Sequence, residues 1–140
     1  MPKEVSDGEF QGVTALTGPD RYSHFVRRVA DFEELWSLRG SDGWVTMGDD
    51  AGHKCIPVWP HKRYAESFIR DGWSEAKAEM IDLDAWMTRW LPGMARDGLH
   101  VAVFPVEGQK QQGVIIAPED LRRDLKAELE QYEDDDNDVA

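Results

Sequence analysis

A chain of 140 residues, 41% hydrophobic and 31% charged, has the size and the apolar content for one hydrophobic core and is too apolar to stay unfolded. Its 28 acids against 16 bases leave a net charge of -12 with no Lys/Arg cluster, which excludes binding to nucleic-acid backbones and to anionic membrane surfaces. The single cysteine, Cys55, excludes an internal disulfide framework and fits a reducing cytoplasm, and the longest apolar stretch, VAVFPV at 101–106, is far too short to cross a bilayer.

Residues 1–16 mix Gly, Ser, Asp and Glu without periodicity, carry no signal-peptide pattern, and are expected to be poorly ordered. The segment TGPDRYSHFVRRVADFEEL then places Tyr22, Phe25, Val26 and Val29 at helical spacing. Thr17 or Gly18 can cap that helix, Pro19 suits its first turn, and Arg21, Arg27 and Arg28 are expected to project away from the apolar face. Short strands follow at 35–38, 44–48 and 55–59, separated by the turns GSDG and DDAGH, as in an antiparallel meander. Pro57 cannot donate to a ladder, so the third strand is expected at an edge or bulged.

A short helix is predicted at 61–72, started by Pro60 and stopped by Gly72, with Tyr64, Ala65 and Phe68 inward and Lys62 and Arg63 facing water. A weak strand at 75–81 leads to the clearest helix, DLDAWMTRWLPGMARDG. Here Leu83, Trp86, Met87, Trp90, Leu91 and Met94 recur at three and four, and Asp82 is the natural N-cap. Pro92 predicts a kink or break near Leu91. LHVAVFPV and GVIIAP read as a hairpin with EGQKQQ as its long, mobile tip. The last helix starts at Pro118, buries Leu121, Leu125, Leu129 and Tyr132, and ends in the solvated tail EDDDNDVA. The seven acids from Glu128 to Asp138 make up more than half of the net charge.

These elements give an α+β fold: an antiparallel or mixed sheet of about five to six strands, an N-terminal meander plus a C-terminal hairpin, with four helices packed on it. The division is a poorly ordered segment 1–16, one domain at 17–132 and an acidic tail at 133–140.

No catalytic constellation appears in the sequence. His24, His53, His61 and His100 form no HExxH and no pair three or four apart, so neither a metal site nor any cofactor is indicated. His53 and Cys55 can share a strand face, but a buried, inert thiol is the commoner state. GDDAG lacks the alternate oxygens and distal Glu of a calcium loop, and GQKQQG lacks phosphate-loop spacing. Of six tryptophans, Trp86 and Trp90 read as core filler between helix and sheet, whereas Trp59 and Trp73 stand at element ends. A surface groove for a ligand or partner is therefore placed at Trp59, His61, Arg63 and Trp73.

The stretches RYSHFVRRVADFEELWSL, GWVTMGDDAGHKCIPVWPHKRYAESF, IDLDAWMTRWLPGMARDGLHVAVFPV and GVIIAPEDLRRDLKAELEQYE resemble the small bacterial proteins grouped as domain of unknown function 2750. The resemblance runs from about Arg21 to Glu133. It implies a cytosolic single-domain α+β protein and brings no reaction, cofactor or catalytic residue.

The expected function is a non-enzymatic cytosolic binding or regulatory protein, in a concrete version an acidic, inhibitor-like partner of a basic protein. The alternative is a small-molecule-binding or enzymatic protein using the groove near Trp59, His61 and Trp73. Self-association through the edge strand or the aromatic patch is a third expectation.

Overall fold

The computed structural model describes residues 4–41, 43–48, 51–69, 75–106 and 113–138, with side chains up to residue 131. The described residues form seven strands in two sheets and five helices, an α+β fold with mixed strand directions.

The chain opens with α1 (Asp7–Thr14) and α2 (Gly18–Phe32). Each has a hydroxyl cap, with Ser6 accepting the Glu9 amide and Thr17 the Asp20 amide. The helix α1 corrects the expectation of a poorly ordered start. Val5 and Val13 are buried against the body, an anchorage that no periodicity announces.

Strand β1 (Glu34–Gly40) pairs antiparallel with β2 (Gly43–Trp44) and with β5 (Lys77–Asp82). The second sheet has the order β3 (Met47–Gly48), β4 (Lys54–Val58), β6 (His100–Val103), β7 (Val114–Ile116). The strand expected at 44–48 is thus two strands, one in each sheet. The β4–β6 pair is parallel, which makes the second sheet mixed, and β6–β7 is the antiparallel hairpin. Its tip at 107–112 lies outside the described residues, as do Asp49 and Asp50 of the GDDAG run.

A two-bond bridge between Trp36 and Trp59 joins the sheets, each backbone N–H meeting the other residue's carbonyl at 2.8 Å. Pro57 sits two residues earlier on the same side of β4, since alternate residues present their backbone groups to the same neighbour. Its missing N–H therefore faces β1, not the β6 ladder. The Ser37 hydroxyl donates to the Pro57 carbonyl at 2.7 Å in a buried setting. So β4 is interior to its sheet, not an edge, and the proline marks where pairing with β1 stops.

Helix α3 (Lys62–Ser67) follows β4. Helix α4 (residues 83–97) is capped by Asp82, whose carboxylate accepts the Asp84 and Ala85 amides. It consists of an α-turn Leu83–Ala85, a π-helical stretch Trp86–Trp90 and the α-helical Leu91–Asp97. Pro92 neither breaks nor ends it. In the π register the Leu91 N–H reaches the Trp86 carbonyl, and the widened turn makes room for the proline ring. The Met87 carbonyl, which Leu91 would use in an α-helix, instead accepts from Arg122 Nε at 3.2 Å. Arg122 belongs to α5 (Pro118–Asp138), which packs on α2 and α4 and whose backbone stays helical beyond the expected start of the tail at 133.

The core lies between helices and sheets around Phe25, Trp59, Tyr64, Phe68, Trp86, Phe104, Leu121 and Leu125, all fully buried. Trp86 fills it as expected. Trp90 stands half-buried at the margin, edge-on to Trp44 at 4.7 Å between ring centroids.

Candidate functional site

Three of the four residues of the expected groove, Trp59, His61 and Arg63, fall among the described residues. Trp59 is fully buried, donates its indole N–H to the Pro105 carbonyl at 2.8 Å and packs on Phe68 at 5.4 Å. Its side chain is part of the core and lines no surface. His61 is the N-cap of α3, its Nδ1 accepting the Arg63 amide at 3.0 Å. Arg63 keeps 37% of its side chain exposed and is tied to the N-terminal segment. It donates to the Val5 carbonyl at 3.0 Å, pairs with Asp7 at 2.6 Å and lies 4.6 Å from the Phe10 ring centre. Trp73 lies outside the described residues.

Cys55 is buried, its thiol 3.8 Å from the His53 carbonyl oxygen, while the His53 ring lies tilted against His100 at 4.1 Å between ring centroids. Among the described residues, no three His, Cys, Asp or Glu side chains are placed to hold a metal ion, and no helix is long and apolar enough to cross a membrane.

Beside a depression of about 390 Å³ lined by Arg39, Glu75, Lys77 and Glu79, two more mark the surface of the described residues. The larger, about 500 Å³, lies between α4 and α5 and is lined by Leu91, Pro92, Ala95, Arg96, Pro118, Glu119 and Arg122. Its two guanidiniums and one carboxylate give it no acidic character.

The second, about 310 Å³, is lined by Glu33, Asp82, Leu83, Asp84, Met87 and Leu129. Three helices meet there for local reasons. Glu33 closes α2 in the left-handed conformation, φ 59°, with its N–H on the Val29 carbonyl. The Glu33 carbonyl then accepts the Leu83 N–H at 3.0 Å, which pins the start of α4 beside the end of α2. Asp82 is there as the cap of α4, and Asp84 is in its first turn, where the helix dipole favours a carboxylate. Leu129 arrives from α5 half-buried, and Met87 from α4 likewise. The result is three exposed carboxylates around an apolar floor.

Sequence reasoning assigned Asp82 and Asp84 to capping, which is correct as far as it goes. Glu33 carries no local signal, because only the α2–α4 contact brings it across. The burial of Arg21 was also missed. Arg21 is fully buried, donating from Nε to the Phe104 carbonyl at 3.1 Å and from Nη1 to the Leu16 carbonyl at 2.5 Å, and burial lowers its pKa. The spacing Arg21, Phe25, Arg28 puts both arginines on the apolar face, a signal that was there to read.

The family described as protein of unknown function DUF2750 matches residues 22–125, most of the chain. No curated protein matches it at a significant level.

Proposed function

We propose, from the premise that the chain belongs to the DUF2750 family, whose description names no reaction, that it is a non-enzymatic binding or regulatory protein of the bacterial cytoplasm that receives a basic segment of a protein partner. The observation that carries this reading is the meeting of Glu33, Asp82 and Asp84 around Met87 and Leu129. A partner's lysine or arginine can lay its aliphatic stem on the two apolar side chains and leave its charged head among the carboxylates. The sequence from Glu128 to Asp138 holds seven acids, and the negative field they add favours encounter with a cationic partner. An acidic inhibitor of a basic protein would use this arrangement. Burial of Trp59 speaks against the rival reading of a small-molecule groove at Trp59, His61 and Trp73.

The test is titration of a lysine-rich peptide onto the full chain at two salt concentrations, beside affinity capture from the native host under the same conditions. Binding should weaken with salt, and Glu33→Gln with Asp84→Asn should weaken it about fivefold or more, the worth of one or two partly exposed charge contacts. Arg96→Gln should leave it unchanged or tighter. Equal binding by the Glu33/Asp84 variant and the wild type would remove the groove from the interface.

A further inference from the structure

Helix α1 is poorly equipped to stand alone. It has eight residues, two of them the glycines Gly8 and Gly12, and a helix that short does not persist in water by itself. Val13 and the preceding Val5 anchor it in the core, and its remaining contacts with the body are polar and aromatic. Asp7 pairs with Arg63 of α3 at 2.6 Å, and Glu9 pairs with Arg28 of α2 at 3.0 Å. Phe10 lies between the Arg63 guanidinium and the Tyr64 ring, 4.6 Å and 5.5 Å from the two.

The patch beneath α1 is cationic and aromatic. The Arg28 side chain is only 9% exposed with α1 in place. The Tyr64 hydroxyl is buried, with Glu9 among the charges that act on it. His24 Nε2 is buried and meets no hydrogen-bond partner among the described residues, and the same Arg28 and Glu9 charges act on the ring. Arg28, Arg63, His24 and Tyr64 all fall within the family match at 22–125, whereas the whole of α1 lies before it.

We propose that Arg28, Arg63 and Tyr64 form a carboxylate-binding site on the body, and that α1 is a displaceable strap filling it with its own Asp7 and Glu9. Two guanidiniums that each hold one carboxylate of the same short segment suit a small organic dicarboxylate, because the planar fork of arginine matches a carboxylate edge. Tyr64 supplies a hydroxyl beside the site and a ring face that Phe10 vacates when α1 leaves. This site is separate from the acidic groove on α2, α4 and α5 and does not depend on it.

The experiment uses the full chain. Succinate is titrated calorimetrically at fixed ionic strength onto the wild type, onto Asp7→Asn/Glu9→Gln, and onto that variant with Arg63→Gln added. The expected result is at least tenfold tighter binding to the strap variant, the equivalent of about one charge-assisted hydrogen bond, and loss of that gain with Arg63→Gln. In a second arm, which needs no substitution, saturating succinate should speed amide exchange across residues 7–14 of the wild type and leave β4 and β6 unchanged. Equal affinity in wild type and strap variant, unchanged exchange in α1, or inorganic phosphate binding as well as succinate would each overturn the assignment.

Discussion

Arg21 marks how far a single side chain can be from its local expectation. It is fully buried and bonds the carbonyls of Leu16 and Phe104. Phe104 is itself in the left-handed region, φ 56°, a conformation held by its N–H on the Val58 carbonyl as well as by the guanidinium. Arg21→Met keeps the bulk and removes the donors. It should destabilise by about 1–3 kcal/mol for each buried carbonyl left unanswered, read from urea unfolding. Gly113 lies beside the same turn with φ +81°, and a Cβ there would meet the Val103 carbonyl oxygen at 2.3 Å. Gly113→Ala must move backbone, and its melting temperature should fall well below that of the wild type. His24 provides a titration at the same scale. Burial first, then the Arg28 and Arg27 cations, lower its pKa from the ordinary 6.5, with Glu9 opposing. The unfolded chain therefore takes up the proton before the folded one, so this contribution is intact above about 6.5 and is lost as the pH falls through and below that value. The wild type should lose more thermal stability than His24→Gln between about pH 7.5 and about pH 5.5.

At the scale of elements, the departures from expectation share one cause: a group that local reading counts as a defect is answered from another element. Pro57 lacks a donor, and the Ser37 hydroxyl from β1 takes up its carbonyl at 2.7 Å. Ser37→Ala should cost about 1–3 kcal/mol, because that carbonyl is then buried without a partner. Pro92 lacks a donor too, and the π turn before it frees the Met87 carbonyl for Arg122 of α5. In α1 the weakness is intrinsic. A Cβ at Gly12 meets nothing within 4 Å, so Gly12→Ala should add about 1 kcal/mol to the local stability of the helix and slow amide exchange across residues 7–14.

At the scale of the whole molecule, alkaline stability depends on phenols held protonated in the fold. Burial, with Glu9 next, pushes Tyr64 up to about 12, and burial with the Asp124 hydrogen bond raises Tyr22. A phenol in the unfolded chain ionises near 10. The stabilising effect is therefore complete below about pH 10 and is lost as the pH rises from there towards about 12. Unfolding followed by circular dichroism should coincide with the appearance of phenolate absorbance, and Tyr64→Phe should shift that transition to higher pH.

The residue order alone settled the α+β class, the burial of Phe25, Val26 and Val29 on α2, of Leu83, Trp86, Leu91 and Met94 on α4 and of Leu121 and Leu125 on α5, the Asp82 cap and the hairpin β6–β7, because each rests on periodicity or on a cap within a few positions. Only the tertiary structure decided that residues 44–48 divide between two sheets, that β4 runs parallel to β6, and that the segment before Thr17 is a helix. It also decided where the expected groove residues go. Trp59 is drawn inside by the Pro105 carbonyl, and Arg63 is drawn to Asp7, partners 46 and 56 positions away. The acidic groove and the site under α1 were illegible for the same reason. Glu33 meets Asp82, and Arg28 meets Glu9, through contacts between elements far apart in the chain, and no window of neighbouring residues contains both partners.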